Sequence, residues 1–182
     1  MKNCFQSKNQ SIYERGEAVQ KQTLYIINLL NNNLIDSNYR IPDYFYHNRE
    51  LILANLIPID DIKDYTLFHD CGKPYCQRID ERGVHFDNHA EVSKDVWMSI
   101  SDNEQVAKLI SMDMIIHKMK ACDIDSFIQH KECVTLLLVG LAEIHANAEM
   151  FGGIESESFK IKYSQINRRG KAILQKLEKI ND

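Results

Sequence analysis

Prolines and glycines are scarce in this chain, three and seven among 182 residues. That is too few to punctuate a fold made of many short strands and tight turns. Strand-like alternation enriched in Val, Ile and Thr is missing as well, so helices are the expected main element. No apolar run approaches the roughly 20 residues that a helical membrane span needs. The opening residues Met1-Lys2-Asn3-Cys4-Phe5-Gln6 lack the apolar core of a secretory leader. A cytoplasmic protein without membrane contact is expected. The five cysteines, Cys4, Cys71, Cys76, Cys122 and Cys133, are odd in number and without paired CxxC spacing. A disulfide framework and a zinc-finger module are therefore excluded as expectations, and free thiols used for packing remain.

What is present is ordinary globular composition, 44% hydrophobic and 26% charged, which predicts one folded domain over residues 1–182 with a flexible start at 1–10. The net charge of −4 is unevenly spread. Residues 156–182 carry seven Lys or Arg against three acids. A basic helix of this kind suits a phosphate or an RNA backbone, although such faces are more often simply solvated.

Periodicity predicts an all-α domain of about seven helices. Ser11 with Glu14 three residues on forms a capping-box pattern, followed by an apolar stripe of Val19, Leu24, Ile27 and Leu30. Pro42 and Asp43 open a second helix reaching Ile57. A third, from about Asp61 to Cys71, is stopped by Gly72 and Pro74. Residues 75–88 look irregular, with a turn at Gly83. Further helices are expected at 89–100, 103–117, 131–151 and 156–180. Residues 134–142 are apolar on every face, the mark of a buried helix, yet Glu143, His145, Asn147 and Glu149 follow at once, and such groups are costly to bury unless they pair or coordinate.

The stretch with visible chemistry is Phe68-His69-Asp70-Cys71-Gly72-Lys73-Pro74. An adjacent imidazole and carboxylate on the last turn of an apolar helix can close on one divalent ion. His85, His89, His117 and His145 lie further along, with Asp113 and Glu143 among them. Asp113 and His117, four apart, are expected on one helical face. Helical domains build metal sites in this way, from imidazoles and carboxylates on separate helices.

At these residues the chain resembles the HD-domain metal-dependent phosphohydrolases, named for the adjacent His-Asp pair. The segment Val84-His85-Phe86-Asp87-Asn88-His89-Ala90-Glu91-Val92-Ser93 is similar to the one that follows the pair in HD domains associated with tRNA nucleotidyltransferases. Leu109-Ile110 leading to His117, and Leu141-Ala142-Glu143, fall where that family has its next helix and its final acid. The likeness covers roughly residues 11–150 and implies a single HD-domain-like helical bundle. It also implies a divalent cofactor (Mn, Mg, Fe, Co or Ni) held by His69, Asp70 and Glu143, with His89 and His117 as further ligands. Glu143 stands for the family's Asp. Arg15 occupies the position of the family's first histidine, and His47 is the other candidate for that role. An arginine does not ligate metal but clamps phosphate oxygens.

The activity implied is hydrolysis of phosphate esters of nucleotides or RNA ends, as a phosphomonoesterase or a 2′,3′-cyclic phosphodiesterase. Asp70, Lys73, His89 and His117 are the catalytic candidates, and Arg15, Lys73 and Arg78 are the candidates for holding phosphate. A nucleotide or short RNA is the expected partner. HD domains often associate through their helices, so a homo-oligomer is compatible with the resemblance. The competing expectation is a degenerate HD domain that binds a nucleotide or a protein without catalysis.

Overall fold

The computed structural model describes residues 1–7, 10–81 and 83–181. The chain is predominantly helical, as its periodicity predicts. It forms two compact units, residues 1–20 with 58–114 and residues 21–57 with 115–182. No described helix is long and apolar enough to cross a membrane, and all five cysteines are free.

In the first unit, β1 (Phe5–Ser7) pairs antiparallel with β2 (Gln10–Ser11), which runs into α1 (Ile12–Asn31). Of the segment expected to be flexible, Lys8 and Asn9 lie outside the described residues. The capping box forms as predicted: Glu14 N–H donates to Ser11 Oγ at 3.2 Å, and Ser11 N–H donates to Glu14 Oε2 at 2.8 Å. Two short helices of the second unit follow, α2 (Asp43–His47) and α3 (Arg49–Ala54). They replace the single helix expected there, and Asn48, at φ −100° and ψ 18°, makes the break.

Returning to the first unit, α4 (Ile59–Phe68) ends one residue before the His-Asp pair, with His69 as its C-cap. Lys73–Cys76 then forms a short helix, α5. Pro74 thus sits in a first helical turn, where its missing N–H costs nothing, instead of acting only as a stop. The stretch expected to be irregular is an antiparallel hairpin, β3 (Gln77–Asp80) and β4 (Gly83–Phe86). Gly83, at φ 121°, takes the turn conformation that L-residues avoid. Helix α6 (His89–Met98) packs on α5 and on α7 (Glu104–Met112), and α7 packs on α4. Asn103 caps α7 by accepting from Val106 N–H at 3.2 Å.

The second unit is built on α10 (Cys133–Ala146), whose residues from Cys133 to His145 are all buried. This is the helix whose every face is apolar. Before it come α8 (Ile115–Lys118) and α9 (Ile124–Phe127), and after it α11 (Glu157–Asn181). Helices α8 and α11 pack on α10 and on each other. Gly140 admits Ile116, whose Cγ2 lies 3.0 Å from where a Cβ would stand. The helix expected over 103–117 is broken between Met112 and Ile115, so the single helical face predicted for Asp113 and His117 does not exist.

Candidate functional site

Gly16 is the residue that brings α1 to the His-Asp pair. A Cβ there would stand 2.3 Å from the carbonyl oxygen of Leu67, so only glycine lets α1 lie this close to the backbone of α4. Its neighbour Arg15 is buried as a result, and its Nε donates to Asp70 Oδ2 at 3.2 Å. On the other side, Gly72 N–H donates to Ser93 Oγ at 2.9 Å, and the Cys71 thiol lies 3.3 Å from the Ser93 carbonyl oxygen. These contacts lock the turn carrying His69 and Asp70 against α6.

Asp70, 2% exposed, is the hub. Lys73 Nζ donates to its Oδ2 at 2.7 Å, and His69 Nε2 lies 3.3 Å from the same oxygen. His89 Nε2 faces Oδ1 at 3.7 Å. Burial pushes the Asp70 carboxyl up, but His69, Lys73 and Arg15 outweigh it and hold the group well below the usual carboxylate range. Both imidazoles are oriented by backbone carbonyls: His69 Nδ1–H donates to Thr66 O at 2.8 Å and His89 Nδ1–H to Phe86 O at 2.9 Å. A carbonyl only accepts, so each Nδ1 carries a proton, the arrangement that leaves Nε2 as the metal-binding or proton-accepting nitrogen of a neutral ring. Burial depresses the basicity of His89, opposed by Asp70, which keeps that ring neutral near pH 7. Lys73 completes the group by placing its ammonium 5.3 Å from the Phe86 ring centroid.

The remaining candidates have partners within their own units. Arg78 is on the exposed hairpin, paired with Asp80 and, at 3.3 Å, with Asp87. In the second unit, His117 Nε2 stands 3.2 Å from Glu143 Oε2. His47 is exposed there, in a groove of about 510 Å³ lined also by Tyr44, Tyr163 and Lys171. His145 is a packed core histidine, stacked on Tyr39 with ring centroids 4.9 Å apart and bonded to Arg40 O at 3.2 Å. Asp113 accepts from Tyr65 Oη at 2.7 Å in the first unit. The basic helix α11 is partly spent: Lys176 pairs with Asp125, Lys160 with Glu155, and Arg169 donates to Met119 O.

Among the described residues no three His, Cys, Asp or Glu side chains are arranged to hold a metal ion as they stand. The donor chemistry of His69, Asp70 and His89 nonetheless suits a divalent first-row ion, two imidazole nitrogens and one carboxylate with the imidazoles anchored from behind. Such an ion would share Asp70 with Lys73 and Arg15. Ser93, Thr66 and Phe86, which position the hub, carry no sequence signal of that role, because Thr66 and Phe86 act through backbone oxygens and Ser93 does so in part. Compared with models of known protein families, with curated proteins and with solved structures, the chain gives no match.

Proposed function

We propose that this protein is a metal-dependent phosphohydrolase of the HD-domain kind, cleaving phosphate esters of nucleotides or RNA ends at the Asp70 centre. The observation that carries the reading is the convergence on one buried carboxylate of two carbonyl-anchored imidazoles and two cationic side chains. His69, Asp70 and His89 would hold the divalent ion, which supplies Lewis acidity and lowers the pKa of water. Lys73 and Arg15 neutralise the phosphate oxygens as charge builds on them. With its Nδ1–H committed to Phe86, neutral His89 ligates or accepts a proton through Nε2 and does not serve as the acid for the leaving group. His117 and Glu143 form a second imidazole–carboxylate pair, the family's remaining ligand positions.

Protein purified without chelator is expected to carry a divalent ion by elemental analysis. It is also expected to release phosphate from nucleoside monophosphates or open 2′,3′-cyclic phosphates with added Mn²⁺, and Asp70→Ala should abolish both. Protein that purifies without a bound divalent ion and stays inactive across these substrates with added Mn²⁺ would remove the proposal. A second reading, a non-catalytic nucleotide binder, draws on Lys73 and Arg15, which already neutralise Asp70 at 2.7 and 3.2 Å. It predicts nucleotide binding that is indifferent to metal.

A further inference from the structure

The β3–β4 hairpin has two faces of different chemistry. Pairing sets Gln77 opposite Phe86 and Ile79 opposite Val84, so these four share one face, while Arg78, Asp80 and His85 share the other. The polar face is tied to itself: Arg78 pairs with Asp80, and His85 Nε2 lies 2.9 Å from Asp80 Oδ1. The apolar face is not. Ile79 is 73% exposed and Val84 46% exposed, side by side on one face of the hairpin. This face begins at Phe86, whose ring takes the Lys73 ammonium at 5.3 Å, and Lys73 is the cation on Asp70. From Phe86 to Val84 is about 7 Å along the strand.

We propose that Ile79 and Val84 form the subsite for the nucleobase of the substrate whose phosphate binds at Lys73 and Asp70. This rests on the phosphohydrolase reading and assigns the residues on which the base of its substrate lies. A lysine ammonium that meets Phe86 at the start of an exposed apolar strip matches a molecule with a charged phosphate at one end and a flat apolar ring at the other. The strip starts at Phe86, whose ring carries the Lys73 ammonium, and continues along the same face of the hairpin through Val84 and Ile79. A base lying on Ile79 and Val84 removes their apolar surface from water, and it needs no base-specific hydrogen bonds, so several bases are accepted.

The test is equilibrium binding of 2-aminopurine ribonucleoside 5′-monophosphate to the full chain, followed by fluorescence, with ribose 5-phosphate as the baseless competitor. The double variant Ile79→Thr/Val84→Thr keeps β-branched residues in the strands. It should weaken nucleotide binding roughly tenfold while leaving ribose 5-phosphate unchanged. The pair Ile79→Leu/Val84→Ile should retain binding and shows that any loss in the threonine variant follows apolarity. Binding that discriminates in this way without any hydrolysis upholds the subsite and removes the hydrolytic reading. Hydrolysis with equal kcat/KM for nucleotide and ribose 5-phosphate, unaltered by the threonine pair, overturns the subsite alone. A concentration-dependent dimer that the threonine pair dissociates, with nucleotide binding unchanged, also overturns it by assigning the face to a second copy.

Discussion

Replacing Asp70 by Asn removes one charge from a buried cluster without changing its shape, so its cost measures how firmly the cluster is held. Lys73 Nζ and Arg15 Nε lie 2.7 and 3.2 Å from Asp70 Oδ2, and the three side chains are 7%, 8% and 2% exposed. At an effective dielectric of about 20 the two attractions are worth about 6 and about 5 kcal/mol before desolvation is subtracted. Desolvation offsets much of that sum, but it is not recovered when only the anion is removed, because Lys73 and Arg15 stay buried. The expected loss is about 3–5 kcal/mol at pH 7, read as a shift of the urea midpoint at unchanged slope in metal-free buffer. The pH dependence follows from the depressed folded-state pKa. Above the ordinary value of 3.8 the ionised form contributes in full, and the contribution fades only as pH falls through the lower folded value. The carboxylate's own contribution to the difference between wild type and variant should therefore be flat from pH 8 to about 5 and be lost only in stronger acid. A loss below about 1 kcal/mol would refute the reasoning, since it would mean that both cations reach water when the carboxylate is gone.

Gly72→Ala should cost about 3 kcal/mol, because the new Cβ would stand 2.3 Å from Ser93 N and 2.5 Å from Val92 C; a thermal melt within 1 °C of wild type would count against that packing. His145, buried against Tyr39 and Phe159, has its basicity lowered by burial, opposed by its bond to Arg40 O. Its neutral form thus contributes stability in full above the ordinary value of 6.5, lost as pH falls through the folded value. His145→Phe should flatten the decline in stability between pH 7 and 5, measured by denaturant titration, and an unchanged slope would show that the ring titrates freely.

The helices were legible in the sequence because burial enforces their period. The all-apolar stretch 134–142 became the buried α10, and the Ser11–Glu14 box capped α1. The breaks were less visible. Asn48 divides a helix that the apolar pattern carries through, since Phe45 and Ile52 are buried on either side of it. The hairpin was missed because it is exposed: Ile79 and Val84 alternate with polar neighbours over too short a run to signal a strand, and Gly83 marked only its turn. At the site, the adjacency of His69 and Asp70 and the nearness of Lys73 and His89 could be expected from the motif and its spacing. The approach of Arg15 was to be expected only from the family resemblance, which set it at the first-histidine position; no local pattern signals it, because it depends on Gly16 meeting Leu67, 51 positions further along the chain.

Arg15 is therefore the residue on which the two readings of the centre divide. A histidine in its place would add a neutral donor and leave Asp70 its full negative charge for an ion. The guanidinium instead joins Lys73 in neutralising Asp70 and repels a second cation arriving at the same carboxylate. On the phosphohydrolase reading, an ion would then draw on the imidazole nitrogens of His69 and His89 and on Oδ1, the carboxylate oxygen that His89 Nε2 faces at 3.7 Å. On that reading, what Arg15 takes from metal affinity it would return to anion affinity. A bound phosphate would offset the ion's charge and offer its own oxygens to Arg15 and Lys73. Substrate and ion should consequently bind with positive coupling, each weak alone and tighter together, whereas a metal-indifferent binder would show none.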